Sequence, residues 1–74
     1  MVNMLNDCNY NLVLLLNDLS RVAGYVDRHC KDDAAKAEQP LTQALMDEIH
    51  NDLEKNIEKL RQAVEGLAKE GKFN

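Results

Sequence analysis

The sequence predicts an all-α protein: a two-helix antiparallel hairpin that assembles with a second copy into a four-helix bundle. Three observations support this fold class. Apolar residues recur at steps of three and four in two long segments. One polar break, ending at the only proline, separates the two segments. Aromatic residues are 4% of the 74 residues and glycines number three, which argues against a β-sandwich, a barrel or a disulfide knot.

The first helix is predicted over residues 4–31. One of Asn3, Asn6 and Asp7 is expected to cap its start, because short polar side chains accept hydrogen bonds from the free N–H groups there. Its apolar seam has the heptad spacing of helices that pack against each other. The seam consists of Cys8, Leu12, Leu15, Leu19, Val22 and Val26, and it is widened on one side by Leu5, Leu16, Ala23 and Cys30.

The first helix has more apolar surface than one neighbouring helix can cover. The run LVLLL at residues 12–16 is apolar on nearly every side. Tyr10, Leu14 and Tyr25 lie away from the seam and are candidates for a subunit or partner face. Gly24 either allows close approach of another helix or is a tolerated helical glycine that costs about 1 kcal/mol. Since so short a chain buries only about 62% of its surface on folding, the run predicts a homo-oligomer, most simply a dimer.

The connection and the second helix follow. Residues 32–39 have no apolar period and are predicted to join the helices, in part as an extra helical turn. Pro40 suits the first turn of a helix, where its missing N–H has no partner to lose. The second helix is predicted over residues 40–70, with Gly71 as its stop. Its seam consists of Met46, Ile49, Leu53, Asn56, Leu60, Ala63 and Leu67, with Ile57 and Val64 beside it.

A short connection makes the two helices antiparallel. A turn within residues 31–40 then places residues whose numbers sum to about 71 at the same level. Asn56 either lies in the seam, where its amide fixes the register, or lies on the flank while Ile57 fills the core. The expected core consists of Leu12, Leu15, Leu19, Val22, Leu53, Leu60 and Leu67.

Charge and hydropathy argue against polyanionic and membrane partners. The net charge is −4 and the nine Lys and Arg are scattered, so neither nucleic acid nor an anionic membrane is an expected partner. The chain has no apolar run long enough to span a bilayer and no basic segment at its start. We therefore expect a cytoplasmic protein.

The two cysteines are expected to be reduced and buried on the apolar stripe. Cys8 and Cys30 lie 22 residues apart on one helix, roughly 33 Å at the helical rise, which is too far for a bond within one chain. In a dimer with antiparallel first helices, Cys8 would approach the partner subunit's Cys30. Burial keeps the thiols protonated, so free thiols are expected.

The sequence offers no catalytic constellation. Ser20 is the only serine, and the first helix places no histidine at its level. Glycine-rich phosphate loops and paired carboxylates on an apolar face are absent from the sequence. His50 is expected near the level of Arg21, so the potential zinc ligands do not converge; these are Cys8, His29, Cys30 and His50.

The segment NYNLVLLLNDLSRVAGYVDRH, a short linker and LMDEIHNDLEKNIEKLRQAVEGL together resemble the helical hairpin of the ferritin-like (rubrerythrin-like) superfamily. In that family a metal-binding Glu precedes a Tyr by seven residues on the first helix, and here Asp18 precedes Tyr25 by seven. The family's second helix carries Glu-x-x-His. In the expected register Leu53 and Asn56 stand at those positions, and neither replaces a carboxylate or an imidazole as a ligand.

One alternative ligand set keeps the family's spacing. Asp47-x-x-His50 follows Asp18 by 29 and 32 residues. On a helical wheel, His50 lies roughly 70° and Asp47 roughly 130° from the centre of the seam, so His50 is expected on the flank and Asp47 in solvent. We therefore expect no catalytic, cofactor-binding or metal-binding residue.

These observations favour a small non-enzymatic protein that acts through self-association or through an unknown protein partner. The alternative implied by the resemblance is a ferritin-like, di-iron metal-binding protein that uses Asp18, Asp47 and His50. A third hypothesis is an acidic protein that covers the basic nucleic-acid-binding surface of its partner.

Overall fold

The structure is a computed structural model that describes residues 5–74, of which 86% are helical and none is in a strand. Helix α1 spans Asp7–Tyr25 and continues into a π-helix, Val26–Cys30, and then into α2, Lys31–Lys36. These three form one unbroken arm, here called the first arm. Helix α3, Pro40–Lys69, is the second arm. The arms pack antiparallel, so the all-α hairpin predicted from the sequence is confirmed.

Asn6 caps the first arm. Its side-chain oxygen accepts a hydrogen bond from the backbone N–H of Asn9 at 2.8 Å, which satisfies one free donor of the first turn. Asp7 follows as the first helical residue, where its negative charge complements the helix dipole. Asn3, the third candidate cap, and Met4, the predicted first helical residue, lie outside the described residues.

The first arm continues past its predicted end near residue 31 to Lys36. Alanine is the strongest helix former, and the Lys36–Asp32 ion pair, at 3.0 Å one turn apart, also supports this segment. Only residues 37–39 reverse the chain, in place of the predicted connection over 32–39. Pro40 begins α3, as its missing N–H predicts.

The reversal begins with a Schellman motif, the hydrogen-bond pair that commonly ends a helix. Gln39 N donates to Ala34 O and Glu38 N donates to Ala35 O, each at 3.1 Å. Glu38 takes the left-handed position of this motif with φ 57°, a conformation that glycine adopts far more readily than glutamate.

Helix α3 ends in the same motif. Lys72 N donates to Leu67 O at 2.8 Å and Gly71 N donates to Ala68 O at 3.1 Å. Gly71 holds the left-handed position with φ 71°, and it is therefore the helix stop that the sequence predicts.

The register of the two arms differs from the prediction. Lys31 Nζ lies 3.3 Å from Asp47 Oδ1 near the turn, and Asn9 Nδ2 donates to Lys72 O at 2.8 Å at the other end. The numbers of these facing residues add to 78 and to 81, not to about 71. The shift follows from the longer first arm, which places the turn later in the chain. It also brings His50 to the level of Cys30 rather than of Arg21.

The stripe of the first arm that faces α3 combines three predicted seam residues, Leu12, Leu19 and Val26, with the side that was predicted to widen the seam. Ala23, Val26 and Ala34 are buried on it. Leu12, Leu16, Leu19 and Cys30 are half-buried on the same stripe. Leu15 and Val22, two of the expected core residues, are exposed instead.

The stripe of α3 that faces the first arm keeps four of its seven predicted seam residues and replaces the other three by the residue that follows each of them. Ile49, Asn56 and Ala63 are exposed, although they were predicted in the seam. Asn56 lies on the flank while Ile57 is half-buried, which is the second of the two alternatives for this amide. The half-buried residues of this stripe are Met46, His50, Leu53, Ile57, Leu60, Val64 and Leu67.

The hairpin is a slab one helix thick. Its principal extents are 50 × 26 × 13 Å, and its radius of gyration is 16.1 Å against roughly 11 Å for a compact domain of this length. The accessible surface is 5547 Å², where a compact monomer of this mass has roughly 4,600 Å². The single chain therefore leaves a large share of its apolar side chains in contact with solvent.

Candidate interaction surface

The ion pair between Lys31 and Asp47 shows which sides of the two arms coincide. Lys31 follows the inward-facing Cys30, and Asp47 follows the inward-facing Met46, and the two charges meet at 3.3 Å. Because the arms run antiparallel, residues that follow an inward-facing residue lie on one side of the slab in both arms. Residues that precede an inward-facing residue therefore share the opposite side.

That opposite side carries a group of exposed apolar side chains, with Asp18, Asp52 and Lys59 at its margins. On the first arm Leu15 precedes Leu16 and Val22 precedes Ala23, and on α3 Leu45 precedes Met46. Ile49 and Leu41 stand one turn either side of Leu45 on α3. The exposed fractions of these side chains run from 37% at Ile49 to 87% at Leu41. We call this surface the apolar face; it consists of Leu15, Val22, Leu41, Leu45 and Ile49.

Sequence reasoning missed Leu41 and Leu45, because it ranked residues by a single seam on each helix. The signal was present as a second, four-residue period, Leu41, Leu45 and Ile49, at the start of α3. Apolar groups at this spacing form a continuous stripe beside the packed one, and a stripe of this kind needs a second partner.

The other side of the slab carries most of the ion pairs along α3 and near the turn, with Val13 exposed on its first-arm half, and we call it the ion-pair face. Lys31 bridges Asp27 and Asp47, each at 3.3 Å. Partial burial lowers the pKa of Lys31, but the hydrogen bonds and the charges of Asp27 and Asp47 outweigh that effect, so the pKa is raised above its ordinary value. His50 Nε2 lies 3.7 Å from Glu54 Oε1 on the same side. This face therefore has its charges paired within the chain.

The outer edge of the first arm, which points away from α3, carries the residues predicted as a subunit or partner face. Tyr10, Leu14 and Tyr25 are exposed there, between 44% and 57%. Their exposure agrees with that hypothesis, which no contact in a single chain tests.

The alternative metal ligands lie apart in one hairpin. Asp18 is at 3.6 Å from Arg21, Asp47 is at 3.3 Å from Lys31, and both carboxylates are about half exposed. Asp47 lies at the level of Lys31, thirteen residues along the first arm from Asp18, which is roughly 20 Å at the helical rise. Within residues 5–74, no three His, Cys, Asp or Glu side chains converge as metal ligands would. A site using Asp18, Asp47 and His50 would need ligands from a second chain.

The cysteines are free thiols at opposite ends of the first arm. Cys30 is half-buried on the packed stripe, whereas Cys8 is exposed. The expectation of burial is therefore wrong for Cys8, because the packed stripe passes through the next residue, Asn9.

Asn9 is a buried amide that sequence reasoning missed. Its side-chain Nδ2 donates to Lys72 O at 2.8 Å and to Asn74 O at 3.1 Å. Asn6 N donates to Asn74 O at 2.7 Å beside it. Asn9 is 3% exposed, the only buried polar residue in the described part of the chain. These bonds tie the residues after α3 to the start of the first arm.

The chain matches no family model, and neither a curated protein nor a solved structure shows significant similarity to it. Within residues 5–74, neither arm contains a helix with the length and hydropathy needed to cross a membrane.

Proposed function

We propose that this chain is a non-enzymatic helical protein that acts through self-association, two hairpins packing by their apolar faces into a four-helix bundle. The observation that supports this proposal is the apolar face itself. Leu15, Val22 and Leu45 are each more than two-fifths exposed in the single hairpin. Covering them contributes about 25 cal/mol per Å² of apolar surface removed from water.

A second copy is the occupant that this face fits best. The slab measures 50 × 26 Å on its broad side, which is wide enough for the ~800 Å² per partner that a standard interface buries. Stacking two slabs turns two half-cores into one closed core with four helices around it. The ion-pair face, whose charges are already paired within the chain, then remains in solvent.

The test is the mass in solution of two charge variants with matched controls. Leu45→Glu places a carboxylate on the apolar face, and Gln43→Glu places the same charge two residues away on the other side of α3. Leu15→Glu and Asn17→Glu form the same kind of pair on the first arm. We expect the natural protein to have twice its 8.4 kDa mass in light scattering at micromolar concentration. Leu45→Glu and Leu15→Glu are expected to dissociate it, and both controls to leave it intact.

Two results would contradict the proposal. One is a natural protein that stays monomeric and fully helical at that concentration. The other is dissociation by Leu14→Glu, on the outer edge of the first arm, with no effect of Leu45→Glu. That second result would move the interface to the outer edge. Circular dichroism on every variant separates a lost interface from a lost fold.

A further inference from the structure

A cavity of about 320 Å³ opens on the outer edge of the first arm, where α1 becomes the π-helix. It is lined by Arg21, Val22, Tyr25, Arg28 and His29. This volume is at the lower end of the ~300–1,000 Å³ range of small-molecule sites. Single turns of π-helix are frequent at functional sites. Val22 belongs both to the cavity wall and to the apolar face, so stacking two hairpins by their apolar faces borders the cavity on that side and leaves Arg21 and Arg28 in solvent.

The guanidinium of Arg28 lies against the helix backbone at Gly24, where there is no side chain. A Cβ atom at Gly24 would lie 3.0 Å from Arg28 Nη1 and 3.1 Å from Nη2, so the guanidinium packs closely over the position that a side chain at Gly24 would crowd. Within the part of the chain that is described, Arg28 forms no ion pair or hydrogen bond with another residue. Its planar fork is therefore available for a bidentate contact with an anion.

Arg21 supplies a second positive charge at the same cavity. Its partner Asp18 is 3.6 Å away, and the two side chains are 73% and 48% exposed. A solvent-exposed pair at this distance adds little stability, so it competes weakly with a ligand. The cavity thus has two arginines on the surface of a chain whose net charge is −4.

Tyr25 and His29 supply ring surfaces in the wall of the same cavity. Their ring centroids are 5.2 Å apart with a tilt of 40°, and Tyr25 is more than half exposed. Tyrosine, histidine and guanidinium planes are the groups on which nucleobases stack in proteins.

We propose that this cavity binds a small phosphate ester with a planar ring, of the nucleoside monophosphate class. The phosphate is held by Arg28 and Arg21, and the base lies against Tyr25 and His29. The occupant is a free nucleotide rather than a nucleic acid strand, because the acidic remainder of the chain repels a polyanion.

The experiment is a titration of the full chain with adenosine monophosphate, followed by amide NMR shifts at residues 21–29. We expect saturable shifts there with a Kd near or below about 1 mM. Adenosine and inorganic phosphate are expected to bind at least about tenfold more weakly, since adenosine lacks the phosphate that the arginines bind and inorganic phosphate lacks the base that stacks on the rings. A short oligoadenylate is expected to bind no more tightly per site than the monophosphate.

Two variants test the arginine and one serves as control. Arg28→Gln is expected to weaken binding about tenfold or more, the loss that follows removal of a charge-assisted contact. Gly24→Ala is expected to raise the melting temperature, because alanine is the better helix former, and to weaken binding by a smaller factor than Arg28→Gln, because its Cβ shifts the guanidinium by a few tenths of an ångström. Arg61→Gln, whose arginine is paired with Glu58 and Glu65 on α3, is expected to leave binding unchanged.

Three results would overturn the proposal. The first is an absence of saturable shifts at residues 21–29. The second is an equal loss of binding in Arg28→Gln and Arg61→Gln, which would show a general charge effect. The third is tighter binding of the oligoadenylate per site, which would identify a nucleic acid strand as the occupant. Gly24→Ala is not expected to unfold, so a loss of binding in that variant cannot be ascribed to misfolding.

Discussion

The two ends of the hairpin hold the tips of the two arms together in different ways. Both ends use the same Schellman motif, with Glu38 in the left-handed position at the turn end and Gly71 at the free end. The turn end adds a covalent connection, and Val26 and Ala34 are buried near it. The free end has no covalent connection between its tips, and in its place Asn9 binds the carbonyls of Lys72 and Asn74.

This difference shows where a polar group is tolerated in a small core. At the turn end the chain itself limits how far the arms separate, so small apolar residues and a half-exposed ion pair are sufficient. At the free end the arms would fray, because terminal residues lose little by opening. A buried amide with both donors satisfied gives that end a specific arrangement of the backbone.

The largest effect is expected from Asn9→Ala at the free end. The substitution removes the side-chain donor to Lys72 O and one of the two donors to Asn74 O, which costs about 1–3 kcal/mol in the free energy of unfolding. Urea denaturation followed by circular dichroism measures this loss. Asn11→Ala is the control. Asn11 is exposed two residues further along the first arm, and within residues 5–74 its amide forms no hydrogen bond to the other arm. Equal losses in the two variants would show that Asn9 does not tie the ends.

Gly71→Ala tests the motif at the free end. A Cβ in the left-handed region costs roughly 1–2 kcal/mol in the folded state. Alanine also lowers the conformational entropy of the unfolded chain, which offsets about 0.4–1 kcal/mol of that cost. A net loss of about 0.5–1 kcal/mol is therefore expected in the same denaturation experiment. Gly66→Ala is the control: its Cβ meets open space in the last turn of α3, where the backbone is still helical, so it should stabilise the protein. Stabilisation by both substitutions would contradict the strain at Gly71.

Glu38→Gly makes the reverse change at the turn end. Glycine relieves the strain of φ 57°, and after the entropy it adds to the unfolded chain a net gain of about 0.5–1 kcal/mol is expected. Thermal unfolding measures the gain. Glu70→Gly removes the same side chain at φ −84°, where no strain exists, and it should lower the melting temperature. If Glu38→Gly also lowers it, the side chain of Glu38 has a stabilising contact that outweighs the strain.

The smallest effect is expected from Lys31→Gln at the turn end. Because the pKa of Lys31 is raised in the folded state, its contribution to stability is complete below the ordinary lysine pKa and is lost as pH rises through the folded value. The difference in melting temperature between the natural protein and Lys31→Gln should therefore begin to shrink only above about pH 10.5, as the lysine deprotonates in the folded state, and it should disappear in ~1 M salt. Lys36→Gln removes an ion pair within α2 and should not weaken contact between the arms. A difference that persists in high salt would assign the effect to the packing of the lysine stem.

The sequence was sufficient to predict the two helical arms, but it did not show which of their apolar stripes pack against each other. A period near 3.6 identifies a helix whichever side is buried. On the first arm Leu15 and Val22 form one apolar stripe, while Leu16 and Ala23, one residue later, form another with the same spacing. The second stripe faces α3 in the hairpin, and alanine, the smaller residue, is buried there. Which stripe packs depends on how closely the arms approach, and that is a property of the pair rather than of either helix.

The candidate sites were less predictable, because each depends on residues that are distant in sequence or on a local departure from the α-helix. Asn9 looks like any helical asparagine until Lys72 and Asn74 return to it from the other end of the chain. The helix of KDDAAK was predicted only as a possible extra turn, and its length displaced the register and with it the level of His50. The space over Gly24 is visible only once Arg28 is placed.

The thinness of the slab has a consequence for small-angle X-ray scattering. Its extent of 50 Å along the helices dominates its radius of gyration, and the 13 Å thickness contributes little. Two slabs stacked with about 10 Å between their midplanes have a radius of gyration of roughly 17 Å, against 16.1 Å for one. The forward scattering intensity per unit of protein mass doubles on such stacking while the Guinier slope hardly changes. Joining the slabs end to end would instead steepen that slope severalfold, so one dilution series distinguishes these two ways in which copies of this chain can meet.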